Sequence, residues 1–325
     1  MDQVWRTLTK DDAAALAELN AAAEAVDRVD DHYNADDFVE EFEGPSLDAR
    51  DGSRGVFIGE RLVGAGIVYQ RTTADPVHRM FFWGRVHPEF RRRGFGTRIV
   101  EWALEAGPRI TERLFPGVAC EICSPVHESL AGNAALLAAQ GFEAERYEFS
   151  MELPLDERES GRTRVPDGFT LLNYEEALSE EFRETHNTAF VPDHPGSTVQ
   201  TLESWPHVMS TRSPNFRADL SFGLRDAETG TLAGYLFSRF DEAAHEATGR
   251  RDLYIGYIGT RREYRRRGVA GALIDAAADG AAAAGFDTAS LTVYADNPSG
   301  ALGVYQSAGF EVRHKMTIVK RRVDA

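Results

Sequence analysis

Apolar residues at Ala14, Leu16, Leu19, Ala23 and Val26 recur near the helical period. Residues 11–26 are therefore expected to form an amphipathic helix, with Asp11 or Asp12 placed to cap it. A short strand-like run, Trp5 to Leu8, precedes it. The pattern then changes. Val56-Phe57-Ile58 leads through Gly59-Glu60-Arg61 into Leu62 to Val68, two apolar runs about a turn, which predicts a hairpin. A further strand is expected over Met80 to Val86.

The same series occurs again. Phe169 to Leu172 reads as a strand and Tyr174 to Phe190 as a helix. A hairpin follows, Leu220 to Leu224 and Leu232 to Phe237, about the turn residues Asp226 to Gly230. Leu253 to Ile258 predicts a strand, Gly268 to Gly285 an alanine-rich helix and Ser290 to Tyr294 another strand. Arg91-Arg92-Arg93-Gly94 answers Arg265-Arg266-Arg267-Gly268, and Gln140-Gly141-Phe142 answers Ala308-Gly309-Phe310, at nearly the same spacing. Self-similarity on this scale predicts two copies of one unit. Each copy is expected to be an α/β fold, a mixed sheet with flanking helices. The copies are expected at 1–153 and 167–325. Residues 154–166, charged and Gly/Pro-containing without apolar period, are the expected linker.

Composition narrows the function. The chain has 325 residues, of which 42% are hydrophobic and 27% charged, an ordinary globular balance. A net charge of -16 opposes nucleic-acid and anionic-membrane partners. It suits a cationic substrate such as an amine, and also serves solubility alone. No apolar run reaches membrane-spanning length, and the start lacks the pattern of a secretory signal, so a cytoplasmic protein is expected. A monomer or homodimer is expected. Cys120 and Cys123 have a spacing known from redox and metal sites. They fall on an expected strand with no second ligand pair, so they are read as reduced and structural, and no metal is expected.

The arginine–glycine runs carry the chemistry. Each stands at the expected start of a helix, where free backbone N–H groups and the helix dipole favour an anion. Gly94 and Gly96, like Gly268 and Ala270, permit close backbone approach, so the loop can cradle a pyrophosphate. No G-x-x-x-x-G-K-[ST] run is present, and no G-x-G-x-x-G follows a strand.

These residues resemble the GNAT superfamily of N-acetyltransferases. Its signature [RQ]-x-x-G-x-[GA] is matched by Arg91-x-x-Gly94-x-Gly96 and by Arg265-x-x-Gly268-x-Ala270. A later element is matched by Asn297, Ala301, Tyr305 and Gly309-Phe310. The duplicated layout resembles tandem acetyltransferases such as mycothiol synthase, including the stretch His186 to Phe190 followed by His194-Pro195. It departs from that pattern at Gly196, and no acceptor is assigned.

The resemblance implies two tandem GNAT folds and transfer of acetyl from acetyl-CoA to the amine of a small molecule. It implies backbone pairing of the pantetheine arm at Tyr257, Ile258 and Thr260. The pyrophosphate would be held at Arg265, Arg266, Arg267, Gly268, Val269, Ala270 and Gly271, and Asn297 would also contact the cofactor. The first-copy counterparts are Val86, Arg91, Arg92, Arg93, Gly94, Phe95, Gly96 and Thr97. Tyr305 is the implied proton donor to the departing thiolate, and Asp252 the implied base, acting through water. The first copy has Leu137 at the tyrosine position and His78 at the aspartate position, so catalysis is expected in the second copy. The alternative is a catalytically silent acyl-CoA-binding or regulatory protein.

Overall fold

The computed structural model describes residues 3–74, 76–156, 158, 161–194, 197–209, 211–295 and 300–323. In chain order the elements are β1 (Gln3–Arg6), α1 (Ala13–Asp27), α2 (Ala35–Glu43), β2 (Ser53–Ile58), β3 (Arg61–Gln70) and β4 (His78–Val86). Next come α3 (Phe95–Leu114), β5 (Cys120–His127), α4 (Ala131–Ala139), β6 (Glu143–Pro154), β7 (Phe169–Asn173) and α5 (Ser179–Ala189). The series ends with α6 (Trp205–Val208), β8 (Phe222–Asp226), β9 (Leu232–Phe240), α7 (Glu242–Thr248), β10 (Asp252–Thr260), α8 (Val269–Ala283), β11 (Thr288–Tyr294), α9 (Ala301–Ala308) and β12 (Glu311–Val323).

The chain forms two compact units. One comprises Met1–Tyr147 with Met316–Ala325, the other Glu148–Lys315. The sequence places the division at 154–166; the structure places it inside β6 and β12. In the first unit β1, β2, β3 and β4 pair antiparallel in order, β4 pairs parallel with β5, and β5 pairs antiparallel with β12. In the second, β7 to β10 pair antiparallel in order, β10 pairs parallel with β11, and β11 pairs antiparallel with β6. The topologies are the same, but each unit takes its last strand from the end of the other half of the chain. Apolar periodicity predicts that a strand exists; it does not say whose edge the strand completes.

Each unit has its own core. Val68, Met80, Ile99, Ala103, Ile110 and Ile122 pack between α3 and the first sheet. Leu253, Ile255, Leu273, Ala277, Ala281, Leu291 and Tyr305 do the same between α8, α9 and the second sheet. Alanine at 276, 277, 278 and 281 brings α8 close to the strands.

Two expectations are corrected locally. The helix expected from Tyr174 begins as a 3-10 turn at Glu176–Leu178 and becomes α-helical at Ser179, since the Tyr174 N–H still extends the strand pairing by bonding the Ser221 carbonyl at 2.8 Å. Asp12 does not cap α1; its carboxylate takes the Thr9 N–H at 2.9 Å and pairs with Arg6. In the segment expected as a linker, Arg158 is ion-paired to Asp275 and Asp279, and Thr163 bonds Asp279 by backbone N–H and hydroxyl. That segment is fastened to α8. Among the described residues no helix is long and apolar enough to cross a membrane.

Candidate active site

The parallel pair at the centre of each sheet opens partway along. β10 pairs with β11 only from Asp252 to Ile255, although it runs on to Thr260. β4 pairs with β5 only from His78 to Phe81, although it runs on to Val86. Beyond those points neither strand pairs with its parallel neighbour among the described residues, the kind of splayed edge that an extended chain can join.

The two openings differ. In β10 the register against β9 shifts between Ile255 and Tyr257. The bulge at Gly256 breaks the alternation of faces. Leu253 and Ile255 belong to the α8-side core, Tyr257 packs on the opposite cluster with Tyr235 and Phe237, and Ile258 returns to the α8 side. β4 keeps an unbroken register with β3 from Gly64 to Gln70. Its opening is bridged by the Ser124 hydroxyl, which donates to the Phe82 carbonyl at 3.0 Å.

Both phosphate loops have the same backbone shape. Arg92 and Arg266 adopt positive φ, 62° and 61°, as do Gly94 and Gly268 at 83° and 81°. Successive left-handed positions turn neighbouring N–H groups toward one point. Gly268 caps α8 and Gly94 caps α3 with no side-chain bond, and neither first turn carries an acid. Among the other helices Asn34 caps α2 and Asp241 caps α7, while α1, α4, α5, α6 and α9 have no side-chain cap. The N–H groups that begin α8 and α3 carry no side-chain cap, a geometry that admits an anion, and Gly271 has nothing within 4 Å of where a Cβ would lie. These residues fit a pyrophosphate.

The arginine side chains are placed otherwise than an anion cluster suggests. Arg265 Nε donates to the Thr260 carbonyl at 3.2 Å, and Arg91 Nε to the Val86 carbonyl at 3.0 Å, each closing its own strand end. Arg91 also holds Asp27 through both terminal nitrogens at 2.7 Å. Arg267 lies over Phe169 at 4.6 Å, and Arg93 over Phe90 at 5.1 Å. Arg92 and Arg266 are exposed and have no side-chain partner among the described residues. Val269 and Phe95 are buried helix anchors, while Ala270, Gly96 and Thr97 stand on the first turns. Asn297 lies outside the described residues, as do Pro195 and Gly196.

Tyr305 projects from α9 with 7% of its surface exposed, its ring 6.1 Å from Phe310. Burial, with the neighbouring Tyr254, pushes its hydroxyl well above the usual phenol range. Its counterpart Leu137 is buried in the first core. Asp252 stands at the first paired position of β10 and β11, opposite Thr288, at the other end of the pairing from the opening. Thr288 donates to one of its oxygens at 2.7 Å, and Ser290 donates to the other. Burial raises its pKa against the opposing pull of those bonds. The counterpart His78 is fully enclosed, bonded to Thr111 Oγ1 at 2.9 Å and to the Arg71 carbonyl at 2.9 Å. Burial lowers its pKa.

One part of the second unit escapes the sequence. His186, Phe190, His194, Trp205, Tyr235 and Tyr257 form a contiguous ring cluster on the α5 side of the bulge. Residues 186, 190 and 194 follow helical spacing, but their meeting with Tyr235 and Tyr257 is a product of the sheet. Both cysteines are buried and unbridged, and Arg79 Nε donates to Cys123 Sγ at 2.9 Å. Glu24, Asp30 and His32 bring their ligand atoms within 4.8 Å of one another. Glu24 already accepts the N–H groups of Val29 and Asp30 at 2.8 and 2.9 Å, so it serves the turn after α1.

The comparisons agree with this geometry. A mycothiol acetyltransferase of Thermobispora bispora is 28% identical over 315 residues, covering 96% of each chain. A second mycothiol acetyltransferase, of Thermomonospora curvata, is 33% identical over 118 residues, 36% of each chain. Among solved structures, a GCN5-related N-acetyltransferase from Sphaerobacter thermophilus superposes with a TM-score of 0.79 at 23% identity, covering 99% of this chain and 96% of its own. A tandem GNAT protein from the clavulanic acid biosynthesis pathway gives 0.71 at 18%, covering 100% and 99%. The model of the Acetyltransferase (GNAT) family matches residues 15–115 and again 176–310. With the family signature in both halves and one strand order in both units, the chain belongs to the GNAT acetyltransferase family and is an acyltransferase.

Proposed function

We propose that the second unit transfers acetyl from acetyl-CoA to the amine of a small molecule by direct attack. The observation that carries this is the bulged β10, half-paired with β11, with Tyr305 in one core cluster with its Ile255 and Ile258, set against Leu137 and the Ser124-bridged strand of the first unit. Acetyl-CoA, when bound, supplies the thioester. Backbone N–H groups from Arg266 to Gly271 hold its pyrophosphate, and β10 beyond its pairing with β11, at Tyr257 and Ile258, aligns its arm.

Tyr305 keeps its proton at neutral pH because burial disfavours the phenolate, so it is available to protonate the departing sulfur. Asp252 lies four positions from Gly256, roughly 13 Å at the usual strand rise. It therefore takes the amine proton through water. Its raised pKa makes it a better base than an exposed carboxylate. The first unit keeps the loop without the acid, and we read it as non-catalytic. The acidic chain, at -16, suits an amine that arrives as a cation.

The name of the Thermobispora bispora relative makes a mycothiol-type amine the first acceptor to assay. The test is a panel of amines with acetyl-CoA, read as free CoA thiol. Release that depends on the amine supports the reading. Tight acetyl-CoA binding with no release for any amine would replace it with a silent binding protein.

A further inference from the structure

His186 lies on α5 with 2% of its surface exposed, enclosed by Phe190, Trp205, Tyr235 and Tyr257. Its Nδ1 is 2.6 Å from the Tyr235 hydroxyl. Tyr235 is fully buried, and its hydroxyl has no other partner among the described residues. Were Nδ1 the donor, the phenol hydrogen and the Nε2 lone pair would both be left without a partner, whereas with Tyr235 as donor only Nε2–H is. Tyr235 therefore donates and Nδ1 accepts, which puts the proton of the neutral ring on Nε2. Burial, with His194 nearby, pulls the imidazole down to about 3, so the ring stays neutral in the working range. In this state His186 is not a base. One ring nitrogen has its lone pair occupied and the other carries hydrogen. It is a donor only, and Nε2–H has no partner among the described residues.

Its position gives that donor a use. The His186 ring is 5.6 Å from that of Tyr257, the residue that follows the bulge. Tyr235, which locks His186, is also within electrostatic reach of Tyr305. The His186 ring thus packs on the α5 side of β10 at Tyr257, while Tyr305 lies in the core cluster on the α8 and α9 side.

We propose that His186, locked by Tyr235, is a positioning residue that presents a fixed Nε2–H to the acceptor. It favours amines bearing a hydroxyl or carbonyl oxygen near the nitrogen over plain alkylamines. This rests on reading the second unit as the acetyl-transferring one.

The first test is independent of turnover. Histidine ring-nitrogen spectra of the full ¹⁵N-labelled chain should show His186 neutral with its proton on Nε2 from pH 5.5 to 8. Tyr235→Phe should give a mixture of tautomers. A proton on Nδ1 in the parent protein, or a charged ring at pH 6, overturns the proposal. With CoA present, titrated 2-aminoethanol should shift Nε2, and its isostere propylamine should not. No response to either, or an equal response to both, overturns it.

The second test is kinetic, at saturating acetyl-CoA. His186→Leu should raise KM for 2-aminoethanol roughly fivefold to tenfold, leaving kcat within about twofold and the propylamine KM unchanged. His186→Gln, which keeps an N–H near the place of Nε2, should recover most of the loss. Equal losses on both amines without recovery mean a packing role and overturn the proposal. If the parent enzyme acetylates neither amine, the transfer reading loses support in this assay, and the nitrogen shifts still decide the donor role.

Discussion

At the same point of the same sheet, the first unit has a hydroxyl bonded to a strand carbonyl and the second has a bulge. Ser124 bridges to Phe82 in β4, while β10 shifts register at Gly256 and turns Tyr257 to the other face. The first unit has Leu137 in its core and, at the closed end of its parallel pair, a fully bonded His78. At the matching places the second has Tyr305, whose hydroxyl has no partner among the described residues, and a buried carboxylate, Asp252. The phosphate loops above are nearly superimposable in backbone conformation. A duplicated fold thus has the same loop conformation in both units, while the groups we propose as reactive occur in one. Backbone shape outlasts side-chain chemistry because the loop needs only two left-handed residues and an uncapped helix.

The most severe test of the comparison concerns the exchanged strands. A chain ending at residue 153 keeps the first copy as the sequence delimits it but removes β12. Strand β5 then loses its antiparallel neighbour along its length, Cys120 to His127. That chain should show no cooperative thermal transition, by circular dichroism or calorimetry. A sharp transition would mean that the first unit needs no exchanged strand.

Next in size is the loss of the proton donor. Tyr305→Phe should lower kcat about 10²–10³-fold and leave acetyl-CoA affinity within about twofold. Leu137→Tyr should change neither, because β4 has no bulge beside it. A gain of turnover in Leu137→Tyr would erase the distinction between the units.

A smaller effect separates the two loops. Gly268 and Gly94 share a positive φ near 80°, where any Cβ costs about 1–2 kcal/mol. Alanine at 268 also meets Pro166 at 3.2 Å, whereas alanine at 94 meets nothing within 4 Å. Both substitutions should lower Tm by a few degrees. Only Gly268→Ala should raise KM for acetyl-CoA, about tenfold. An equal rise from Gly94→Ala would give the first loop a part in turnover.

The smallest is a dependence on pH. Lys320, Arg146 and Arg79 hold Glu145 down to about 2, against the opposing effect of burial. A carboxylate with a depressed folded-state pKa adds stability that is complete above its unfolded pKa and is lost as pH falls toward the folded value. Glu145→Gln should therefore lower Tm at pH 7, and the gap from the parent should narrow by pH 3.5. Asp252 has the opposite sign. Its folded-state pKa is raised, so its contribution is fullest in acid and declines as pH rises through that value. Asp252→Asn should thus cost less stability at pH 7 than Glu145→Gln, and its main effect should fall on kcat. Thermal melts across pH, beside kcat–pH profiles, check both.

Much of the fold was legible because it is local. The hairpins of both halves, the strands before the arginine runs and α8 lie within a few residues of their expected places. These depend on apolar periodicity and turn residues, which neighbours in sequence specify. The loops were legible because a glycine at positive φ before a helix leaves a mark on the residue type. The arginines misled as side chains. Their count signals an anion, but Arg91 and Arg265 turn back on Val86 and Thr260, and only coordinates reveal which acceptor lies within reach.

By itself the sequence determined the duplication, the mixed α/β unit, the two arginine–glycine loops before a helix and the contrast of Tyr305 with Leu137. Each is a matter of residue type and order. Only the tertiary structure decided that the last strands are exchanged, that β10 bulges where β4 does not, and that His186 meets Tyr235 and Tyr257. Those outcomes depend on register and on contacts between residues far apart in the chain, where a shift of one position moves a side chain to the opposite face. No pattern of neighbouring residues fixes that choice.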